Sequence, residues 1–257
     1  MKVLAILQAR ISSSRLPGKV LLPLLGEPML FRQIERIRRA GRIDQLVVAT
    51  SIDRSDNALV EACAARGIPC ARGSLDDVLD RFVQCALTYR PETVVRLTGD
   101  CPLADPRLMD AMLQEFETGS YDYLANVSPP TFPDGLDVEV IRFSSLLEAH
   151  KEARLPSERE HVTPFLRSRP ERFRLGNYTA EVDRSGLRWT VDEAQDLEFV
   201  RAVYELLYPA DPEFSTEDVF RLLESNPRLQ LLNSRLERNE GFRKSLQDDA
   251  RVLLRGK

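Results

Sequence analysis

Four short apolar runs separated by stretches of helical periodicity restrict this fold more than any other feature of the chain. The runs are residues 2–7 (KVLAIL), 45–51 (QLVVATS), 68–71 and 93–97 (TVVRL). Apolar runs this short read as strands buried on both faces. Between them, Pro28 opens a pattern with Leu30, Ile34 and Ile37 on one face and Gly41 as its stop. Ser55 is placed to cap a helix ending near Gly67, and Ser74 one running to about Arg90, ahead of Pro91. Pro106 opens another helix after the fourth run. Strands alternating with helices predict an α/β, Rossmann-like, mainly parallel sheet flanked by helices, with right-handed crossovers. In such sheets ligands sit at the carboxyl ends of the strands. The polar loops after the first and fourth runs fall there.

The pattern changes after about Glu117. Residues 121–126, 136–141, 173–178 and 187–191 read as strands, interleaved with helices near 143–153, 158–168 and 193–207. This half is expected to be a mixed α/β extension that completes the sheet and supplies an acceptor pocket. No Gly/Ser/Pro-rich linker separates the halves. We expect one domain over 1–226, made of halves 1–117 and 118–226, and an appended C-terminal segment, 227–257, that is charged and weakly periodic.

Composition removes several function classes. The net charge of -4 argues against a general nucleic-acid binder. No segment approaches the roughly 20 apolar residues of a membrane span. The apolar start gives way to Gln8 and Arg10 too early for a signal-peptide core. Cys63, Cys70, Cys85 and Cys101 form no C-x-x-C pair, which fits reduced thiols and a cytoplasmic protein. His150 and His161 are the only histidines, so a His-rich metal centre is excluded.

The first loop, 8–19, reads QARISSSRLPGK. Arg10, Arg15 and Lys19 surround several hydroxyls and a Pro-Gly turn between Leu16 and Lys19. Forked Arg donors, a Lys point charge and backbone N–H groups around 12–14 suit a triphosphate. The loop lacks both G-x-x-x-x-G-K-[ST] and G-x-G-x-x-G, so it is neither a Walker loop nor a dinucleotide fingerprint. A solvated basic loop is the other reading.

Ala9, Arg10, Ser13, Arg15, Leu16, Pro17, Gly18 and Lys19 carry a long signature that resembles that of the CMP-sugar synthetases. These include the 3-deoxy-manno-octulosonate and acylneuraminate cytidylyltransferases. The chain looks most similar to the spore-coat polysaccharide biosynthesis protein F group, through VVATSIDRSDN (47–57), GSLDDVLDRF (73–82), RLTGDCPLADP (96–106), DGLDVEV (134–140), REHVTPF (159–165) and WTVDEAQDLEFV (189–200). The resemblance implies a GT-A-like nucleotidyltransferase fold. It places Gln8, Ala9, Arg10, Ser13, Arg15 and Lys19 on the nucleotide, with Arg72, Ser74, Asp77 and Thr98 near the base and ribose.

Asp100 follows the fourth strand and Asp192 ends the run at 187–191. Each is placed to cap a helix. The resemblance instead makes them the ligands of one magnesium ion, Mg2+, the expected cofactor. Asp137, Glu139, Arg159 and His161, with Asp134 and Glu160, are the acceptor-side candidates; a structural role for His161 stands beside this. Arg10, Arg15, Lys19 and Asp100 are the expected catalytic set. The implied reaction transfers CMP from CTP to an acidic or phosphorylated sugar acceptor, with release of pyrophosphate. A homodimer is expected by analogy. A glycosyltransferase using a preformed nucleotide-sugar and a non-catalytic nucleotide-binding subunit remain as alternatives. Arg15 and Lys19, in a polar loop, are expected to contribute little to folding.

Overall fold

Along the first strand, β1 (Val3–Gln8), side chains alternate between two buried layers. Val3, Ala5 and Leu7 enter one hydrophobic cluster, and Leu4 and Ile6 the other. A strand covered on both faces must lie in the middle of a three-layer α/β structure. The computed structural model describes residues 2–13, 15–234, 245–246 and 248–251, and it has that architecture. Ser14 of the expected backbone nest, and most of the segment beyond 234, lie outside the described residues.

After β1 come a short hairpin, β2 (Pro23–Leu24) and β3 (Glu27–Pro28), and helix α1 (Met29–Ile37). Next are β4 (Gln45–Ser51), α2 (Asn57–Ala64), β5 (Cys70–Gly73), α3 (Val78–Tyr89), β6 (Thr93–Thr98) and α4 (Pro106–Gly119). The second half gives β7 (Tyr123–Ala125), β8 (Glu139–Arg142), α5 (Phe143–Glu152), α6 (Pro156–His161), α7 (Pro164–Arg167), β9 (Leu175–Asn177), α8 (Ala194–Leu207) and α9 (Thr216–Ser225). One seven-stranded sheet, ordered β5-β4-β1-β6-β8-β7-β9, runs through both halves. The strands β5, β4, β1 and β6 are mutually parallel, and β8 is antiparallel to both β6 and β7. The chain leaves β1 toward β4 on one side and returns to β6 on the other. The strand order therefore reverses between β1 and β6, and the crevice at their carboxyl ends is the natural ligand site.

Several sequence expectations change in detail. The helix expected over 158–168 is two short helices, because Val162 adopts φ 70° and Pro164 restarts the chain. Residues 187–191 are not a ladder strand. Only Arg188 makes a bridge, to Asp134, while Trp189 N–H donates to the Asp134 carbonyl (2.6 Å) and Val191 N–H to the Asp100 carbonyl (2.8 Å). The backbone of this segment is spent on fastening two site loops. Asp77, rather than Ser74, caps α3, accepting from Asp80 N–H at 2.9 Å. The C-terminal segment begins as a 3-10 turn, Pro227–Leu232, and its residues 245–246 and 248–251 are helical.

One buried carboxylate ties the first loop to the sheet. Asp56 is fully buried. It accepts from Ile11 N–H (2.7 Å), from Ser51 N–H (3.1 Å) and from the Ser51 hydroxyl. The loop after β1 is thereby held against the end of β4. Asp56→Ala leaves these donors without a partner and is expected to cost about 2 to 3 kcal/mol by denaturant unfolding. Asp56→Asn, which keeps part of the acceptor capacity, should cost less.

Candidate active site

The first loop folds back on itself through the Pro17–Gly18 turn. Gly18 takes φ 71°, and its N–H donates to the Ile11 carbonyl at 3.0 Å. A left-handed residue at this point turns Lys19 inward rather than out to solvent. Lys19 is buried, and its ammonium donates to Asp100 Oδ2 (3.0 Å), Asp192 Oδ1 (2.9 Å) and the Val191 carbonyl (2.8 Å). Asp100 and Asp192, 92 positions apart in sequence, thus face one cation across the crevice. Burial pushes the Asp100 carboxyl up, but the Lys19 charge and hydrogen bonds from Thr98 and Lys19 outweigh it and hold the pKa at about 2. Burial likewise disfavours the Lys19 ammonium, and the two carboxylates more than restore it. The expectation that Lys19 is a solvated loop residue without a folding role is therefore corrected.

Arg15 is more exposed. Its guanidinium lies 2.9 Å from Asp192 Oδ1 and 3.7 Å from Glu193 Oε1. Arg10 is exposed and makes no hydrogen bond or ion pair among the described residues. Its charge is felt by Arg81, whose pKa falls to about 10 through burial and repulsion from Arg10. Ser13 Oγ accepts a long bond from Leu16 N–H (3.4 Å), inside the loop. Ala9 is buried at the start of the loop, and Gln8 Oε1 is buried with no partner among the described residues.

A third arginine, which the sequence analysis does not single out, supports the carboxylates from below. Arg188 donates to Asp196 through Nε (2.9 Å) and Nη2 (3.0 Å), to Asp134 through Nη1 (3.0 Å) and to Asp192 through Nη2 (3.2 Å). Asp196 also accepts from the N–H groups of Asp192 (2.9 Å) and Glu193 (3.0 Å) at the start of α8. Asp134 reaches Arg188 because Gly135 lies flat on the neighbouring backbone. A Cβ there would sit 2.5 Å from Thr190 N, and its φ is 108°. The sequence signal for Arg188 was available: a charge inside the apolar run LRWTV must be paired if the run is buried.

The remaining candidates separate into two groups. Thr98 and Asp137 line one small cavity beside Cys101, next in sequence to Asp100. Burial, then Asp100 and Asp137, push the Cys101 thiol well up, so it is a packed neutral thiol. The others are engaged elsewhere. Arg72 clamps the loop after β4, donating to the carbonyls of Ser51 and Asp53 and to Asn57 Oδ1, each at 2.9 Å. Ser74 Oγ accepts from Asp77 N–H at 3.0 Å. Asp77 and Arg159, assigned from sequence to opposite substrates, are ion-pair partners of each other.

Glu139 is buried between Arg96 and the Tyr123 hydroxyl. Burial opposes its charge, but Arg96 and Arg167 overcome this and lower its pKa. His161 Nε2 lies 2.9 Å from Ser245 Oγ, which also donates to Glu160 (2.6 Å). Burial, reinforced by Arg96 and Arg167 against the pull of Glu160, lowers the His161 pKa and keeps the ring neutral near pH 7. The described part of the C-terminal segment therefore touches α6. No group of three or more His, Cys, Asp or Glu forms a metal cluster among the described residues.

Lys19→Ala leaves two carboxylates facing each other without the cation between them. Allowing for their partial exposure, the variant should lose about 2 kcal/mol near neutral pH. The Asp100 pKa is depressed from 3.8 to about 2, so its share of stability is present above pH 3.8 and is lost as pH falls through about 2. The gap between wild type and Lys19→Ala should accordingly narrow over that window in pH-dependent urea unfolding. A gap that is constant from pH 7 to pH 2 contradicts the assignment.

The chain is similar to known proteins over most of its length. A cytidylyltransferase family model matches residues 4–210. The chain is 35% identical over 243 residues to the spore coat polysaccharide biosynthesis protein SpsF of Bacillus subtilis, covering 88% of this chain and 95% of that protein. The structure superposes on a cytidylyltransferase from Leptospira borgpetersenii with a TM-score of 0.85 at 34% identity, covering 90% and 97% of the two chains. A CMP:2-keto-3-deoxy-manno-octonic acid synthetase complexed with CTP shares the fold, with a TM-score of 0.60 at 21% identity over 80% and 99%. By sequence and by fold, the chain belongs to the cytidylyltransferase family.

Proposed function

We propose that this protein is a cytoplasmic, magnesium-dependent cytidylyltransferase. It transfers CMP from CTP to an acidic or phosphorylated sugar and releases pyrophosphate, in the service of a surface polysaccharide. The observation that carries this reading is the meeting of Arg15 and Lys19 with Asp100 and Asp192 at the crevice between β1 and β6. A triphosphate needs cations, and Arg10 stands exposed at the mouth of the loop with none of its donors used among the described residues. The relatives support the chemistry: the fold neighbour is complexed with CTP, and SpsF is a spore coat polysaccharide biosynthesis protein.

The chemistry is an in-line displacement. An acceptor oxygen forms a bond to the α-phosphorus, the bond from that phosphorus to the bridging oxygen breaks, and pyrophosphate carries away the electron pair. Positioning and charge stabilisation account for most of such catalysis. Arg10 and Arg15 hold the phosphates, Arg15 exchanging Asp192 for a phosphate oxygen. Lys19 keeps Asp100 and Asp192 together and charged. These two carboxylates fit magnesium by donor type, being hard oxygen ligands that already share one cation. Bound there, the ion would neutralise phosphate charge and acidify the attacking hydroxyl. In this reading Asp137, which lines the cavity beside Thr98 and Cys101, serves the acceptor.

A pyrophosphate-release screen crossing the four ribonucleoside triphosphates with acidic sugars and sugar phosphates tests the reading. Turnover is expected with CTP and magnesium, and removal of the metal with EDTA should abolish it. Turnover of a nucleotide-sugar without pyrophosphate release would instead establish the glycosyltransferase alternative. Arg10→Ala should lower kcat/KM about 100-fold while the melting temperature stays at that of wild type, since the side chain has no folding partner among the described residues.

A further inference from the structure

The region matched by the family model ends at residue 210, yet the site receives a contact from beyond it. Asn233, just after the 3-10 turn of the C-terminal segment, is 4% exposed. Its side-chain amide donates to Asp196 Oδ1 (3.0 Å) and to the Arg188 carbonyl (2.9 Å). Both partners bear directly on Asp192: Arg188 Nη2 donates to Asp192 Oδ2 (3.2 Å), and Asp196 Oδ2 accepts from Asp192 N–H (2.9 Å). The carboxylate facing Lys19 is thus held from its side chain and from its own backbone, and Asn233 clasps the two residues that hold it, Asp196 by its carboxylate and Arg188 by its backbone carbonyl.

We propose that Asn233 is a positioning residue for Asp192, through which the C-terminal segment sets the affinity of the site for the metal-bound nucleotide. The proposal rests on the cytidylyltransferase reading of the crevice.

The physical case is one of matched capacity. Arg188 has all three nitrogens directed at Asp134, Asp192 and Asp196, and it is the cation that offsets these buried charges from below. Asp196 Oδ2 accepts from two backbone N–H groups and from Arg188 Nη2, and its Oδ1 accepts from Arg188 Nε and the Asn233 amide. Without the amide, the Arg188–Asp196 pair loses the two bonds that Asn233 gives it from the C-terminal segment. The pair is then held less tightly, and so is Asp192, which is bonded to both members. Groups behind a ligand commonly change metal affinity or activity by about 10- to 100-fold when removed. An amide is suited to this place. It is neutral, so it adds no charge to a set already close to balance, and its two donor hydrogens match two acceptors.

Calorimetric titration of the full-length protein with CTP and magnesium tests the proposal in a double-mutant cycle between Asn233→Ala and Asp192→Asn. Asn233→Ala should weaken binding about tenfold in the wild-type background and leave the affinity of Asp192→Asn unchanged. Asn233→Asp keeps the volume but sets a carboxylate against Asp196, so it should bind at least as weakly as Asn233→Ala. Should Asn233→Ala fail to fold, Asn233→Ser carries the same cycle. Equal losses in both backgrounds mark a merely structural residue and overturn the proposal, as does full affinity in Asn233→Asp. Wild type that binds CTP while Asn233→Ala binds equally well overturns the positioning role alone. Wild type that binds no CTP overturns the underlying reading, and the proposal with it.

Discussion

Two carboxylates cannot face each other across a dry crevice unless a positive charge stands between them, and here Lys19 supplies it. Its ammonium meets Asp100, Asp192 and the Val191 carbonyl at 3.0 Å or less. Much of the surrounding architecture follows from that contact. The Pro17–Gly18 turn aims the lysine inward, Asp56 fastens the loop that carries it, and the segment before α8 gives up a regular strand so that its backbone can reach Asp100. The cationic loop is thus the internal counter-ion of Asp100 and Asp192.

The same charges explain how the site can be both stable and receptive. Asp134, Asp192 and Asp196 surround Arg188, while Lys19 and Arg15 approach Asp192 from the loop side. Buried carboxylates of this density would be costly without such pairing. The pairs differ in burial. Arg188 is closed off, with a side-chain exposure of 7%, whereas Arg15 retains 35%. An exposed ion pair is weak and exchanges partners at little cost. The inner arginine therefore maintains the scaffold, and the outer one can exchange partners at little cost.

The sequence made some of this legible and concealed the rest, for identifiable reasons. The parallel strands β1, β4, β5 and β6 were readable because apolar runs alternated with helical periodicity. The crevice followed from where the polar loops fell. Asp100 and Asp192 could be nominated as neighbours because each ended an apolar run. What could not be read were choices of partner. Asp77 and Arg159 looked like ligand-binding residues because both are charged and near site blocks, but nothing local says that they pair with each other. Glu139 occupies a position on β8 whose partner, Arg96, lies across the sheet, and only strand register brings them together. Arg188 was hidden by its surroundings, since the apolar run LRWTV reads as a strand. The run at 187–191 resembled a ladder strand in composition, and tertiary bonding from Asp100 and Asp134 overrode that propensity.

The distance in sequence between the members of the site has a consequence for how the molecule is made. Lys19 and the Val191 carbonyl that it reaches are 172 positions apart, and Asn233 lies 45 positions beyond Arg188. Contacts of such separation form late, because the loop they close must first lose its freedom. During synthesis the chain leaves the ribosome from its N-terminus, and β1 to β6 can pair while the segment bearing Arg188 and Asp192 is still being made. Lys19 and Asp100 then have only each other until that segment arrives. The half of the sheet that carries the cationic loop is made first and is completed last, by residues near the opposite end of the chain.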